Sequence, residues 1–188
     1  MTFLAIITAL VILWLIWTFN SLVALRNQVR NAFTQIDIQL KRRHDLIPNL
    51  VNAVKGIMRF EQETLTKVIE ARAKAINAFQ VGNIKEGFAQ ENIITQALGR
   101  LFALQESYPQ LKSDKQVSQL MEELTATENK ISFARQFYND ITTKFNIKIQ
   151  IFPNNLIASM LGFKEFELFE LPKESVEKEV PQVDLSIK

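Results

Sequence analysis

Cysteine is absent from this 188-residue sequence, histidine occurs once, and glycine and proline occur five times each. The lack of cysteine excludes disulfides, thiolate metal sites, cysteine nucleophiles and lipid-modified cysteines. A single histidine argues against zinc and di-iron sites on helices, which usually take two or more imidazoles at fixed spacing. Because so few residues favour tight turns, the composition indicates long helices rather than a many-stranded sheet.

A strong net charge is also missing, since the formal balance is only +2. Nucleic-acid-binding proteins usually carry a large basic excess on one face, so we predict no nucleic-acid partner. The sequence has no glycine-rich phosphate loop, nucleophile elbow, Walker-type lysine or Glu-x-x-His pair. His44 beside Asp45 could form an oriented base, but next to Arg42 and Arg43 a surface or capping role is favoured. We therefore predict no catalytic, metal-binding or cofactor-binding residue and no enzymatic activity.

A long uncharged segment opens the chain. FLAIITALVILWLIWTF, residues 3–19, stays largely apolar through Leu25 and would span about 34 Å as a helix, enough to cross a hydrocarbon core of about 30 Å. Trp14 and Trp17 lie toward its C-terminal end, where indole rings favour contact with the lipid interface. A cleaved signal peptide is the alternative, although a positive n-region and a clear cleavage site are missing. We predict a single-pass anchor over residues 1–25.

Arginine and lysine follow this segment at Arg26, Arg30, Lys41, Arg42 and Arg43. Because such residues near a span resist translocation, the simple interpretation places the following domain in the cytoplasm. Three of them lie more than about 15 residues beyond the span, where the rule weakens, so an extracytoplasmic domain stays open. Arg26 and Arg30 could also contact anionic headgroups, or form a solvated helix face.

The apolar residues from 20 to 41 recur at three- and four-residue spacing, which predicts a helix continuous with the anchor. At RRHDLIPN, residues 42–49, we predict that this helix ends. The cations suit a helix C-terminus, Asp45 can cap a new helix, and Pro48 fits its first turn. A single helix kinked at Pro48 is the alternative. In either case we expect the second segment, residues 46–79, to lie against the first.

Two more long helices are predicted. VGNIKEG, residues 81–87, indicates a loop or junction before a helix from about Phe88 to Tyr108. Ser113 or Asp114 can cap a fourth helix, which halts at Pro153. Five apolar residues in it recur every seven positions: Val117, Leu124, Ile131, Tyr138 and Phe145.

The C-terminal part is less regular. A short apolar helix can follow from Leu156 to Gly162. KEFELFEL, residues 164–171, is ambiguous between an extended piece packed on the bundle and a membrane contact through Phe166 and Phe169. Beyond Pro172 the sequence is charged and lacks aromatic residues, which predicts disorder.

These patterns together predict an all-α protein. An N-terminal transmembrane helix, residues 1–25, continues into an antiparallel up-and-down bundle of about four long helices with coiled-coil-like packing, residues 26–163. An extended C-terminal segment with a disordered tail, residues 164–188, completes the chain.

The run RNQVRNAFTQIDIQLKRRHDLIPNLVNAVKG, residues 26–56, resembles the signature of the LemA family of bacterial membrane-anchored proteins. Its RRxDLIPNLV core lies at residues 42–51, and further similar blocks are EARAKA, ESYPQLK, ELTATENKISFARQFYND and FPNNLIASMLGF. Phe33 departs from the family pattern, because many members have tryptophan there. The resemblance implies a single-pass protein of the bacterial inner membrane with an antiparallel helical bundle and no established catalytic function. Some relatives have a lipoprotein-type N-terminus, which would place their domain outside the cytoplasm.

Polar residues within these blocks suggest a structural network of Arg42, Asp45, Glu128 and Arg135 that locks the predicted turn to the fourth helix. The leading functional hypothesis is a non-enzymatic, membrane-tethered scaffold or adaptor that binds other envelope proteins or a second copy of the chain. One alternative is an accessory or regulatory subunit of a membrane protease or similar membrane enzyme. Another is an anionic-lipid surface sensor that uses Arg26, Arg30 and the segment containing Phe166 and Phe169.

Overall fold

The computed structural model describes residues 1–55, 62–105 and 107–169. No β-strand occurs in these ranges, which contain six helices: α1 (Thr2–Val54), α2 (Gln62–Gln80), α3 (Ile84–Gln105), α4 (Pro109–Ser113), α5 (Lys115–Gln150) and α6 (Asn154–Met160). The all-α prediction, with a long apolar N-terminal helix that continues into a helical bundle, is confirmed. The predicted disordered tail beyond residue 172 lies outside the described residues.

α1 is one helix of 53 residues and passes through Pro48 without a turn. The predicted helix end at residues 42–49 is therefore wrong, and so is the start of a second helix at Leu46. Three apolar side chains after the proline are buried: Leu50, Val51 and Val54. Burial of each contributes roughly 1.5–3 kcal/mol. Their sum outweighs the cost of about 3 kcal/mol for a proline inside a helix, so α1 continues.

The N-terminal part of α1 is the candidate membrane span. In the described ranges α1 is the single helix that is long and apolar enough to cross a membrane. Apolar side chains from Phe3 to Trp17 are largely exposed, whereas Thr18 and Leu22 are fully buried against the rest of the protein. Because the same helix runs from the span into the bundle, cleavage after the apolar segment would remove packed residues. This continuity favours an anchor that is not cleaved.

The bundle is built from two pairs of helices. α1 packs along α5, and α2 packs along α3. The residues that contact each other follow in opposite order along the two helices, so α1 and α5 are antiparallel. Ser21 contacts Lys148, Phe33 contacts Tyr138, and Arg43 contacts Glu128. α2 and α3 form a hairpin whose turn includes Gly82, and its φ of 76° is the left-handed conformation that glycine adopts easily.

Two apolar cores lie one above the other along the bundle. The proximal core, near the span, contains Leu22, Val29, Ala32, Ile36, Leu40, Phe88, Ile131, Tyr138, Phe145, Ile149, Ala158 and Phe169. The distal core contains Ile47, Leu50, Val51, Val54, Leu65, Val68, Ala71, Ala75, Ile94, Ala97, Leu98, Leu101, Leu111, Val117, Met121 and Leu124. α1, α3 and α5 each contribute to both cores, so all three pass through the boundary between them.

The helix predictions for the second half of the chain hold better than those for the first. α5 begins after Asp114, whose carboxylate accepts hydrogen bonds from the backbone N–H groups of Gln116 and Val117 at 2.9 and 3.1 Å. The five residues of its seven-residue repeat are all buried. α3 begins at Ile84, four residues earlier than predicted, because only Gly82 and its neighbours form the turn.

The segment after α6 is extended and packs on the bundle as far as Phe169. The side-chain amide of Asn146 forms hydrogen bonds with both the backbone N–H and the C=O of Phe166, and that of Asn139 does the same with Phe169. The four distances are 2.8–3.0 Å. Tyr138 donates its hydroxyl to the Glu167 carbonyl at 2.8 Å. Phe169 is buried among the rings of the proximal core. The structure therefore selects the packed alternative for this segment.

Candidate functional site

A layer of polar side chains separates the two cores. We call it the polar layer, and it consists of Arg43, His44, Glu91, Thr95 and Glu128. Each residue comes from a helix that contributes apolar residues to both cores, and the five lie where the two cores meet. In a coiled-coil-like bundle these positions face the interior, so the polar groups must be paired.

Arg43 forms the centre of the polar layer. Its guanidinium is completely buried, and its Nη1 donates to Glu128 Oε1 at 2.6 Å and to Thr95 Oγ1 at 2.8 Å. Its Nη2 donates to the carboxylate and the backbone carbonyl of Glu91. One cation thus joins α1 to α3 and α5, and its charge is met by two carboxylates.

Glu91 is the second fully buried charge of the layer. Burial by itself would raise the pKa of its carboxyl, but His44 and Arg43 more than offset that effect and hold the pKa below the ordinary value of 4.5. His44 Nε2 lies 2.8 Å from Glu91 Oε1, and its ring is about nine-tenths buried. The prediction of a surface or capping role for His44 is therefore wrong, because the continuous α1 turns this side chain inward.

Pro48 leaves one backbone carbonyl of α1 without its helical hydrogen bond, and a residue of α2 bonds to that carbonyl. Proline has no backbone N–H, so the carbonyl four residues earlier in the helix, that of His44, lacks its usual helical partner. Arg72 Nε donates to this carbonyl at 2.8 Å. α2 is thereby attached to α1 at the level of the polar layer, and the proline in the middle of α1 has its free acceptor satisfied.

Arg135 lies beside the polar layer on α5. Its Nη1 donates to Asn92 Oδ1 at 3.0 Å, and its guanidinium stacks 4.0 Å from the ring centroid of Phe169. Burial, and next the positive charge of Arg43, lower the pKa of Arg135 to about 10. Arg135 therefore contributes a hydrogen bond and a cation–π contact at this point.

The four residues predicted to form a network are only partly brought together. Glu128 is in the polar layer, and Arg135 lies at its edge. Arg42 points outward to Glu123 at 3.5 Å, with both side chains substantially exposed, and Asp45 is exposed. Arg42 and Asp45 were predicted to belong to the network because a helix boundary was expected at residues 42–49. In the continuous α1, Arg43 and His44 face inward instead.

Arg43, Glu91 and Thr95 were missed, although a signal existed for the two charged residues. Arg43 lies seven residues after Ile36 and seven before Leu50, and both of those are buried. Glu91 lies seven residues before the buried Leu98. A heptad pattern carried through Pro48 would therefore have placed Arg43 in the core.

The chemistry open to the polar layer is limited by its burial. Arg43 and Glu91 have no exposed side-chain surface, so a substrate cannot reach them without opening the bundle. Among residues 1–55, 62–105 and 107–169, no group of three histidine, aspartate or glutamate side chains is arranged to hold a metal ion. The arrangement is that of a structural lock that fixes the register of α1, α3 and α5.

The residues predicted to contact lipid are spread over three environments. Trp17 is 65% exposed on the span, and Trp14 is half-buried. Arg30 is exposed, while Arg26 stacks over the Phe163 ring at 5.2 Å. Phe166 and Phe169 pack in or against the proximal core, so a lipid contact through Phe169 is wrong.

Comparison with known proteins agrees with these features. A family model described as the LemA family matches residues 32–185. "Protein LemA" of Metamycoplasma hominis is 32% identical over 152 residues, which cover 80% of this chain and 68% of the relative. "Magnetosome protein MamQ 2" of Paramagnetospirillum magneticum is 25% identical over 181 residues, which cover 83% of this chain and 66% of the relative. The chain thus spans about two thirds of the length of these relatives.

The family match covers most of the bundle and the segments that build the polar layer: Arg43 and His44 of α1, Glu91 and Thr95 of α3, and Glu128 of α5. The chain belongs to the LemA family.

Proposed function

We propose that this protein is a non-enzymatic, membrane-tethered helical adaptor that binds other envelope proteins through the outer face of the α1–α5 pair. The observation that carries the proposal is an exposed apolar strip on this face. Phe133 is 73% exposed, Ile38 57% and Phe137 47%. Large apolar side chains clustered in this way are characteristic of protein-binding surfaces.

The strip borders a groove of about 410 Å³ between the two helices, which we call the outer groove. Its lining residues are Gln35, Ile38, Gln39, Lys130, Phe133, Ala134 and Phe137. Phe133 and Phe137 are one helical turn apart, a spacing that suits the i and i+4 side chains of a partner helix. Lys130 is the one charged residue among them, so a partner helix with an apolar face and a nearby carboxylate fits this groove.

The distance from the membrane restricts the partner further. Ile38 lies 19 residues after Phe19 on the same helix, which corresponds to about 28 Å at 1.5 Å per residue. A partner helix must therefore reach about this far from the bilayer. A juxtamembrane helix of another membrane protein meets this condition, and so does the same face of a second copy.

Photo-crosslinking in native membranes tests the proposal. A photo-reactive amino acid replaces Phe133 in the full chain, and the control carries it at Val81, which is equally exposed at 72% but lies in the α2–α3 turn. We expect discrete crosslinked products from position 133, absent from position 81 and lost when Phe137→Glu is added. Absence of any position-specific product would refute the adaptor function.

The composition of the products separates the remaining hypotheses. A single membrane enzyme would support the accessory-subunit alternative, whereas several envelope proteins or a second copy would support a general scaffold. The lipid-sensor alternative places its contacts at Arg26 and Arg30 near the span instead, so it predicts no protein product at position 133.

We also propose that the bundle lies in the cytoplasm, because Arg26 and Arg30 directly follow the span. Protease added to intact spheroplasts should then leave the bundle undigested until the cells are lysed. Digestion of the bundle in intact spheroplasts would contradict a cytoplasmic location.

A further inference from the structure

The end of α5 and α6 form an uncharged segment beside the candidate span. Residues 149–163, IQIFPNNLIASMLGF, contain no charged side chain, and Lys148 and Lys164 flank them on both sides. Several apolar side chains in this segment are exposed rather than packed. We call this set the α6 foot: Ile151 (50% exposed), Phe152 (78%), Leu156 (63%), Met160 (80%) and Leu161 (46%).

Contacts with α1 place the start of the foot at the end of the span. The Nζ of Lys148 donates to the hydroxyl of Ser21 and lies 5.4 Å from the ring centroid of Trp17. Because α5 runs antiparallel to α1, the chain beyond Lys148 continues toward the N-terminus of α1. Phe152, about one helical turn further, therefore reaches the level of the apolar span.

The far end of the foot returns to the same boundary. Arg26, the first charged residue after the span, stacks over the Phe163 ring at 5.2 Å, and Lys164 follows immediately. Cations thus border the foot where it begins and where it ends. Long cationic side chains take this position at a membrane interface, with apolar stems toward the lipid and charged heads in water.

One side of α6 packs on the bundle, and the opposite side is exposed. Ile157 and Ala158 are buried on the bundle, so Leu156 and Met160 face away from it. Leu156 and Met160 form an exposed stripe one turn long on α6, and Phe152 is exposed in the turn just before this helix. Interfacial helices bury such a stripe about 5–10 Å into the boundary between headgroups and acyl chains.

We propose that the α6 foot is a second membrane contact, in which Phe152, Leu156 and Met160 insert into the lipid interface beside the span. The ligand is the bilayer itself. The proposal depends on α1 crossing the membrane and is independent of the outer groove. Attachment at two points fixes the tilt of the bundle relative to the bilayer, which a single helix alone leaves free.

Fluorescence depth measurements test the foot directly. The chain has no cysteine, so single-cysteine variants of the full protein can be labelled with an environment-sensitive fluorophore and placed, one copy per disc, in phosphatidylcholine nanodiscs. The test variant is Met160→Cys. Leu13→Cys reports from the span, and Asn129→Cys reports from the exposed surface of α5 far from it.

We expect the label at position 160 to be quenched by nitroxide lipids like that at position 13. It should also be at least several-fold less accessible to aqueous iodide than the label at position 129. Iodide quenching at position 160 equal to that at position 129 would overturn the proposal. Protection from both quenchers would also overturn it, because protein would then cover the foot. If the label at position 13 does not contact lipid, the span itself fails, and the foot fails with it.

The headgroup dependence separates this contact from simple electrostatic attraction. Insertion through apolar side chains should persist in uncharged phosphatidylcholine and in high salt, because screening acts on charges. Loss of the lipid signal at high salt would contradict insertion of the foot.

Discussion

Arg42 and Arg43 are adjacent in the chain but occupy opposite environments, which makes them a matched pair. Arg43→Met leaves the buried Glu91 and the largely buried Glu128 without their cation, so we expect it to lower the free energy of unfolding by about 3–5 kcal/mol. Arg42→Met removes one exposed contact and should cost no more than about 1 kcal/mol. Chemical unfolding of both variants in the same detergent compares them, and equal losses would contradict the polar layer.

The polar layer should also make stability depend on pH in the acid range. The pKa of Glu91 is lower in the folded protein than its ordinary value of 4.5. Its ionised form therefore stabilises the fold above pH 4.5, and that stability is lost as the pH falls through the folded pKa. We expect the unfolding temperature to drop on acidification in this range, and Glu91→Gln to be less stable at neutral pH but flatter below 4.5. An unchanged acid slope in Glu91→Gln would assign the effect to other carboxylates.

The sequence alone was sufficient to identify Glu128 as a residue of a structural network but not its partner. Glu128 is predicted to belong to it as a polar residue of the family-like block on the fourth helix, and the structure retains that helix as α5. Arg43 was passed over in favour of Arg42, because the interpretation of Pro48 decides which side of α1 faces inward. One backbone feature thus changed the assignment of several side chains.

At the scale of elements, Pro48 and Arg72 form one device for joining α1 to α2. Arg72→Met should lower the free energy of unfolding by about 1.5–3 kcal/mol, because it leaves the His44 carbonyl without a partner. In a Pro48→Ala background the alanine N–H can bond that carbonyl within the helix, so the same change should cost less. A double-mutant cycle measures this coupling, and additive effects would show that Arg72 acts in another way.

Two glycines of α3 provide a second comparison. A Cβ at Gly87 would lie 2.5 Å from the ring of Phe79, which packs against Phe88, so Gly87→Ala should destabilise by about 1–3 kcal/mol. Gly99 has no atom within 4 Å of an added Cβ, so Gly99→Ala should stabilise by about 0.5–1 kcal/mol. Thermal unfolding of the two variants should shift in opposite directions, and shifts of the same sign would contradict the close approach of α2 and α3.

The elements that could be predicted from the sequence are those with uninterrupted heptads. The heptad from Val117 to Phe145 predicts α5, and Asp114 predicts its N-cap. Both predictions hold because local propensity and tertiary packing agree there. They disagree at Pro48, where burial of the following residues overrides a local helix-breaking signal. They disagree again at Gly87, which serves close helix packing rather than a turn.

At the scale of the whole molecule, α1 acts as a rod that enters both cores and joins the candidate membrane span to the polar layer. The outer groove lies on the α1–α5 pair, and the α6 foot lies at the end of α5 and on α6, beside the candidate span. The spacing between them is set by the continuity of α1. A partner bound at the proposed outer groove would therefore be held at a fixed height above the bilayer.

The distance between two positions on α1 decides whether this helix is continuous through Pro48. Gln28 and Asn52 are exposed, so each can be replaced by cysteine and spin-labelled in the full chain in nanodiscs. Pulsed electron paramagnetic resonance then measures the distance between the two labels. A continuous helix through Pro48 predicts a backbone separation of about 36 Å for 24 residues. A chain that folds back near residues 42–49 would bring the same positions to about 20 Å, with helices about 10 Å apart. A distance near 36 Å supports the continuous rod, and one near 20 Å contradicts it.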